Sequence, residues 1–336
     1  MKIGIIGAGY ITRLHAKAIK AAGYDLAIVS DPNVKLAAEF GAAWNCAHTG
    51  DTAELLKQKL DLVTIAVPNN YHYDVVKAAL PSGLPLLCEK PLTRNAAQSH
   101  ELVELVKKSG KPFFVGYMKR SHPAIIRFAE MAKRVGTMRS GLVRVYHPFP
   151  TNVWQSVAKG IAEKPNVSRD GALTNAGSHY LDLLLHVAGP VKRVLAGRIQ
   201  YRPDCPQVDT AAHALVEMEN GATVTIECGW LPLTGIGPRD NGWDEVLELR
   251  GDEGFARLMG NWWDRSDSEA SIADLWHEPS RTRETYNPGP VDYFMTEYQM
   301  IAKALAGENA PLATAEQATK VDELIDEIYA KAGVSR

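Results

Sequence analysis

"KIGIIGAGYITRLHAKAIKAAGYDLAIVSD", residues Lys2 to Asp31, places a strand, a glycine turn, a helix and a second strand in immediate succession. Lys2 to Ile6 is a short β-branched run, the pattern of a buried strand. Gly7, Ala8 and Gly9 form a turn that only small residues permit. A helical stretch follows from about Tyr10 to Ala22 and stops at Gly23. Asp25 to Ser30 then reads as a second strand, closing on Asp31. This is the layout of a dinucleotide site. Glycines let backbone approach a pyrophosphate, whose charge rests on the helix N-terminus. Asp31 follows Gly9 by 22 residues, close to the spacing expected of a carboxylate that holds the adenosine ribose hydroxyls. A carboxylate there repels a 2′-phosphate, so NAD is expected over NADP. Thr12 stands where a third Gly or Ala is usual and is expected to hold the helix slightly off the sheet. The alternative for a bare GxG is an ordinary tight turn.

The alternation continues through residue 120. We expect a helix over 33–40, a short strand near Trp44, and a strand within "DLVTIAVPNNYH" (Asp61 to His72) ending at Val67 before a Pro68-Asn69 turn. A helix over 73–80, a strand over 85–88, a helix over 96–109 and a strand in "PFFVGY" complete the series. Strands alternating with helices specify a parallel, doubly wound sheet whose ligands bind at the carboxyl ends of the strands. Gly7, Gly9, Tyr10 and Ile11, then Asp31, then Val67, Pro68, Asn69 and His72, and finally Glu89 and Lys90 all fall at such ends. In "LLCEKPL" (Leu86 to Leu92) an apolar strand stops at an abrupt charged pair, and Pro91 restricts the backbone of Lys90. A charge held there is either a solvated turn or a group aimed into a cleft. Glu89 reads as fixing that turn or Lys90.

Totals bound the rest. The chain has 336 residues, 46% hydrophobic and 23% charged, with a formal net charge of −2; this suggests two domains and gives no reason to expect nucleic acid or an anionic membrane as partner. No apolar run reaches a membrane span. "MKIGIIGAGY" enters the glycine motif at once, so no signal peptide is expected and a cytoplasmic location is. Cys46, Cys88, Cys205 and Cys228 show neither CxxC spacing nor a disulfide framework.

Past residue 120, Pro123 opens a helix to about Val135, "SGLVRVYHPF" is a strand, "HYLDLLLHVAG" a helix and "KRVLAGRIQYR" a strand. "AAHALVEMENGATVTIECGW" is a hairpin turning at Asn220-Gly221. Strands near 245–249, 254–258 and 271–276 complete an antiparallel sheet. Trp154, in "PFPTNVWQSVAKG", is a candidate cleft wall; the other tryptophans beyond residue 150 suit core or interface. Lys119 and Arg120 follow a strand end and are candidate substrate contacts. His179 and Asp182 share a helical face but lack a third ligand at convincing spacing, so no metal is expected. His15 is expected to pack on the first helix.

"GAGYITRLHA", "AVPNNYHYDVVKAAL", "LLCEKPL" and "GALTNAGSHYLDLLLHVAG" together resemble the glucose–fructose oxidoreductase / inositol dehydrogenase / rhizopine catabolism (Gfo/Idh/MocA) family, nearly end to end. The resemblance implies a Rossmann domain (1–120) and a C-terminal α/β domain (121–336) with a large, mostly antiparallel sheet whose outer face builds homodimers or homotetramers. It implies hydride transfer between a nicotinamide cofactor and a sugar, polyol or related carbohydrate. Lys90 matches the EKP lysine, a substrate-hydroxyl contact and catalytic residue; His179 matches the general acid/base; Asn69 and His72 fall in the turn beside the nicotinamide ribose. Asn175 stands where the inositol branch carries aspartate. It can orient His179 but cannot carry a negative charge, which resembles the sugar-nucleotide and amino-sugar branches. Oxidising an alcohol needs a base with a pKa near the working pH, which an imidazole supplies. It also needs a donor for charge developing on oxygen, which a lysine supplies. Two other classes stay open: a lyase or glycosidase that uses NAD transiently, and a non-catalytic NAD-sensing regulator.

Overall fold

A computed structural model of the chain describes residues 1–148, 171–203, 206, 208–232, 242–266 and 268–334. It divides into two compact units, one formed by Met1–Ser121 with Asp292–Asp322, the other by His122–Val291 with Glu323–Arg336.

The first unit is built on strands β1 (Lys2–Ile6), β2 (Asp25–Ser30), β3 (Ala47–Thr49), β4 (Leu62–Ile65), β5 (Leu86–Cys88) and β6 (Phe113–Val115). They form one parallel sheet in the order β3-β2-β1-β4-β5-β6. Its central strands are covered on both faces, which is why β1, β4 and β5 read as unbroken apolar runs and are buried along nearly their whole length. Connecting helices are α1 (Tyr10–Ala21), α2 (Val34–Trp44), the single turn-and-a-half α3 (Thr52–Leu56), α4 (His72–Ala79) and α5 (Ala96–Ser109). The order reverses between β1 and β4, the switch point at which doubly wound sheets bind ligands.

Three expectations shift. Trp44 ends α2 instead of lying in a strand, because Asn45 closes the helix in the left-handed conformation (φ 52°) and delays the strand to Ala47. The strand expected to end at Val67 stops at Ile65, and the one expected to reach Tyr117 stops at Val115; Met118–Ser121 is a 3₁₀ turn. Helix α3 was not expected, since five residues carry no readable period.

The second unit contains helices α6 (Pro123–Ala132) and α7 (Ser178–Ala188) and strands β7 (Met138–Pro148), β8 (Val191–Gln200), β9 (Ala211–Met218), β10 (Thr223–Leu231), β11 (Asp244–Gly251), β12 (Gly254–Met259), β13 (Ile272–His277) and β14 (Thr282–Tyr286). They form one sheet in the order β14-β13-β12-β11-β7-β10-β9-β8. Neighbours are antiparallel except β7 and β10, which run parallel. Ala212, Ala214, Val216 and Met218 are buried while the residues between them face outward, the alternation of a sheet covered on one side. Asn220 and Gly221 turn β9 into β10, with Gly221 at φ 84°. Helix α6 packs on β12 and β13, and α7 on β7 and β11. No helix among the described residues is long and apolar enough to cross a membrane.

Helix α8 (Tyr293–Leu305) belongs to the first unit and lies on α1. The last helix, α9 (Ala315–Lys331), begins in the first unit and ends in the second. The contact of α8 with the sheet is polar. The Tyr298 hydroxyl meets Thr64 Oγ1 of β4 at 2.9 Å and His15 Nδ1 of α1 at 3.0 Å, all buried. Beside it, Glu297 is buried with neither carboxyl oxygen hydrogen-bonded among the described residues. Burial first, and the charge of Glu89 second, push its pKa well above the ordinary carboxylate range. Folding therefore keeps a proton on Glu297 that the unfolded chain releases above about pH 4.3; where the native state binds more protons, stability falls as pH rises. Glu297→Gln carries no such proton, so its melting temperature relative to the native chain should climb between pH 5 and 8; a pH-independent difference in thermal unfolding would contradict this.

Candidate functional site

The glycine turn after β1 is specified by its neighbours. Gly7 has φ 101°, and a Cβ there would lie 2.5 Å from the Ala66 carbonyl oxygen. Its own N–H donates to Ser30 O at 2.7 Å. One residue thus touches the ends of β2 and β4 at once, and only glycine has both the conformation and the room. Thr12 takes the place of a third small residue for a local reason: its buried hydroxyl donates to Gly7 O at 3.0 Å and closes the turn from the helix side. Gly9 precedes the first turn of α1, and a Cβ there would meet nothing within 4 Å. That open space lies at the positive end of a helix, as phosphate binding requires. Tyr10 is 60% exposed and Ile11 half-buried at the same tip.

Asp31 sits at the end of β2 and is tied into the turn. Oδ2 accepts from Ala8 N–H at 3.0 Å and Oδ1 from Asn33 N–H at 2.8 Å. Its charge is therefore fixed beside the glycine loop. After β4 come half-buried Val67, exposed Pro68 and buried Asn69. His72, 1% exposed, opens α4 with Nδ1 2.8 Å from Pro91 O and Nε2 3.0 Å from Val67 O.

The turn after β5 rests on a buried anion. Glu89 Oε1 accepts from His15 Nε2 at 2.9 Å, and Oε2 accepts from Lys90 N–H at 3.1 Å. Burial alone would raise its pKa; the hydrogen bond and charge of His15, with Lys90 adding to them, outweigh burial and hold the carboxyl below its ordinary value. Gly116 leaves room for it, since a Cβ there would lie 3.1 Å from the carboxyl group. Lys90 itself is half-buried, and its peptide bond to Pro91 is cis. His15, expected only to pack, is a buried member of the chain Glu89–His15–Tyr298–Thr64, and residues 283 apart in sequence gave no local signal for it. A surface cavity of about 530 Å³, lined in part by Lys2, Asp25, Cys46 and Gln58, opens at the opposite, amino-terminal end of β1 and β2.

Lys119 and Arg120 are buried in the first unit. Lys119 Nζ lies 4.7 Å over the Tyr293 ring, and Arg120 donates to Gln317 Oε1 at 2.7 Å. In the second unit, Asn175 is exposed on a π-helical turn, Leu173–Gly177, that leads directly into α7. His179 is 6% exposed on the first turn of α7. The start of this segment is held by Asp209, a residue with no motif around it: Oδ2 accepts from Leu173 N–H at 2.9 Å, its carbonyl from Ala172 N–H, and its carboxylate also from the Tyr329 hydroxyl. Gly171 packs so closely on Asp209 that any Cβ would overlap it. Trp154 lies outside the described residues. Trp243 and Trp230 are buried, and Trp243 stacks on His147 (ring centroids 3.5 Å apart), which bonds buried Glu245 at 3.0 Å. Among the described residues no three His, Cys, Asp or Glu side chains are grouped to hold a metal ion.

Residues 1–117 match the model of the "oxidoreductase family, NAD-binding Rossmann fold", and residues 129–257 match the "GFO/IDH/MocA C-terminal domain". The chain belongs to the Gfo/Idh/MocA family. Relatives within the family include an inositol 2-dehydrogenase of Corynebacterium glutamicum, 29% identical over 245 residues, an alignment spanning 68% of this chain and 66% of that one. A D-xylose 1-dehydrogenase (NADP(+)) of Haloferax volcanii is 27% identical over 338 residues, 99% of this chain and 97% of that protein. The fold of the UDP-N-acetylglucosamine 3-dehydrogenase of Acidithiobacillus ferrooxidans superposes with a TM-score of 0.77 at 20% identity, covering 98% and 97% of the two chains. The NAD-binding fold of the family coincides here with the glycine turn, the switch point and the open space at Gly9.

Gly7→Ala should place a methyl group against the Ala66 carbonyl in a disfavoured conformation, at a cost of at least about 2 kcal/mol. Urea unfolding should register that loss together with weakened dinucleotide binding; unchanged stability would show that the turn is not held as described.

Proposed function

We propose that this chain is an NAD-dependent oxidoreductase that transfers a hydride between nicotinamide and a secondary hydroxyl of a sugar, polyol or sugar derivative. One observation carries the reading: the glycine turn, Asp31, the 67–69 turn and the Glu89–Lys90 turn occupy one edge of a parallel sheet, at its switch point, in a chain of this family. The names of its relatives, dehydrogenases of inositol and xylose, support the substrate class.

When bound, the nicotinamide supplies the hydride acceptor or donor. In this proposal the N-terminal end of α1, at Gly9, Tyr10 and Ile11, holds the pyrophosphate, and Asp31 holds the adenosine ribose. Lys90 donates to the reacting hydroxyl and stabilises charge developing on it. Glu89, ionised and buried behind Lys90, offsets like-charge repulsion between that ammonium and an oxidised nicotinamide. His179 takes the hydroxyl proton in oxidation and returns it in reduction, and Asn175 orients its ring without adding a charge. Arg120 is carried as a substrate contact, though its partner Gln317 gives it a structural task as well. Homodimeric or homotetrameric assembly and a cytoplasmic location belong to the same proposal.

Incubation with NAD and a panel of sugars and polyols should accumulate NADH. Turnover without net NADH would favour transient oxidation, and binding alone a sensing role. Lys90→Ala and His179→Ala should each lower kcat by at least about 100-fold while NAD affinity stays within about threefold; retained turnover in both would remove the assigned roles. By calorimetry, NAD should bind at least about tenfold more tightly than NADP, and Asp31→Ser should narrow that ratio by relieving charge repulsion. Equal affinities in the native chain would overturn the cofactor assignment.

A further inference from the structure

We propose that His72 is a positioning residue whose ring carries two protons and clamps the turn of Lys90, instead of contacting the cofactor. Its importance for catalysis rests on the role of Lys90 given above, but the clamp itself does not. The ring is buried, with Nδ1 2.8 Å from Pro91 O and Nε2 3.0 Å from Val67 O. Both of these contacts are to backbone carbonyls, which accept and never donate. A neutral imidazole has one N–H, so it could satisfy one carbonyl and would press a bare nitrogen lone pair against the other. Buried, that contact is repulsive. An imidazolium donates to both.

Burial and the N-terminal position on α4 work against a cation. Two charge-assisted hydrogen bonds to fixed carbonyls work for it, and the geometry satisfies both together. Among the described residues the ionisable groups on the surrounding elements are Cys88 at the end of β5, Glu89, Lys90 and Arg94 on and after the clamped turn, Tyr71 ahead of α4, Tyr73, Asp74 and Lys77 on α4, and His100, Glu101, Glu104, Lys107 and Lys108 on α5. Of these, Lys77 and Glu101 pair with each other at 3.5 Å.

The consequence is mechanical. Val67 leads into the Pro68–Asn69 turn after β4, and Pro91 follows Lys90 after the neighbouring strand β5. One ring therefore ties two adjacent strand-end turns together. Lys90 is held on both sides: its N–H by the Glu89 carboxylate at 3.1 Å, and the next carbonyl by His72. A small displacement of such a group costs far more in the chemical step than in binding.

The test is nitrogen NMR of the full-length protein labelled at its ten histidines, at neutral pH, with His72→Gln used to assign the His72 signals. Two protonated ring nitrogens are expected; one protonated and one bare nitrogen would overturn the clamp. This readout needs no substrate, so it stands even if the wild-type enzyme turns over nothing offered to it. In steady-state assays His72→Ala should lower kcat by roughly 10–100-fold with NADH affinity within about threefold. His72→Gln, whose N–H donors sit on a single nitrogen and so reach one of the two carbonyls, should recover part of that loss. An NADH affinity that falls as far as kcat would assign His72 to the cofactor and overturn the positioning role.

Discussion

Gly7 is the point on which the first unit turns. Its amide bonds the end of β2, its α-carbon rests on the end of β4, and its carbonyl is closed by Thr12 from α1. No side chain can enter that junction. Three strand ends are thus drawn together where the order of the sheet reverses, and the first turn of a helix is aimed at the space above them. Everything assigned to the cofactor follows from that convergence. Asp31 reaches the loop because β2 ends against Gly7, and the 67–69 turn lies beside it because β4 does.

The turn that carries Lys90 is stiffened by charge buried behind it. His15 and the Lys90 amide hold the oxygens of Glu89 and keep its pKa low in the interior, while burial pushes the pKa of Glu297, whose oxygens find no hydrogen bond among the described residues, well up. Two buried carboxyl groups are thereby shifted in opposite directions, and their partners decide the sign. The second unit uses a buried carboxylate in a similar way at the start of the segment that carries Asn175 and His179. There Asp209 receives the backbone of residues 172–173, against a glycine that no other residue could replace, and so sets where the π turn of Asn175 and the helix of His179 begin.

Much of this was legible in the sequence, for identifiable reasons. Glycine spacing, an acid at the right distance and alternating apolar runs specify the parallel sheet, because each reports a local backbone requirement. Asn220-Gly221 specifies its hairpin in the same way. Strand β14 escaped notice because its residues are largely exposed and carry no apolar alternation. The strand expected near Trp44 begins later because Asn45, in the left-handed conformation, ends α2 there, a backbone state that no apolar pattern reports. The supports of the site were not legible at all. His15 and Glu89 are 74 residues apart, Arg120 and Gln317 are 197, and Asp209 lies in no recognisable motif. Side-chain hydrogen bonds between distant elements leave no period in a sequence.

A crystal structure of the protein grown with NAD is the most direct test of the central claim. The account predicts the pyrophosphate on the backbone of Gly9, Tyr10 and Ile11, the adenosine ribose at Asp31, and the nicotinamide end beside the 67–69 and 89–91 turns. A dinucleotide seated elsewhere, for instance in the cavity of Lys2, Asp25 and Cys46 at the opposite edge of the sheet, would contradict it.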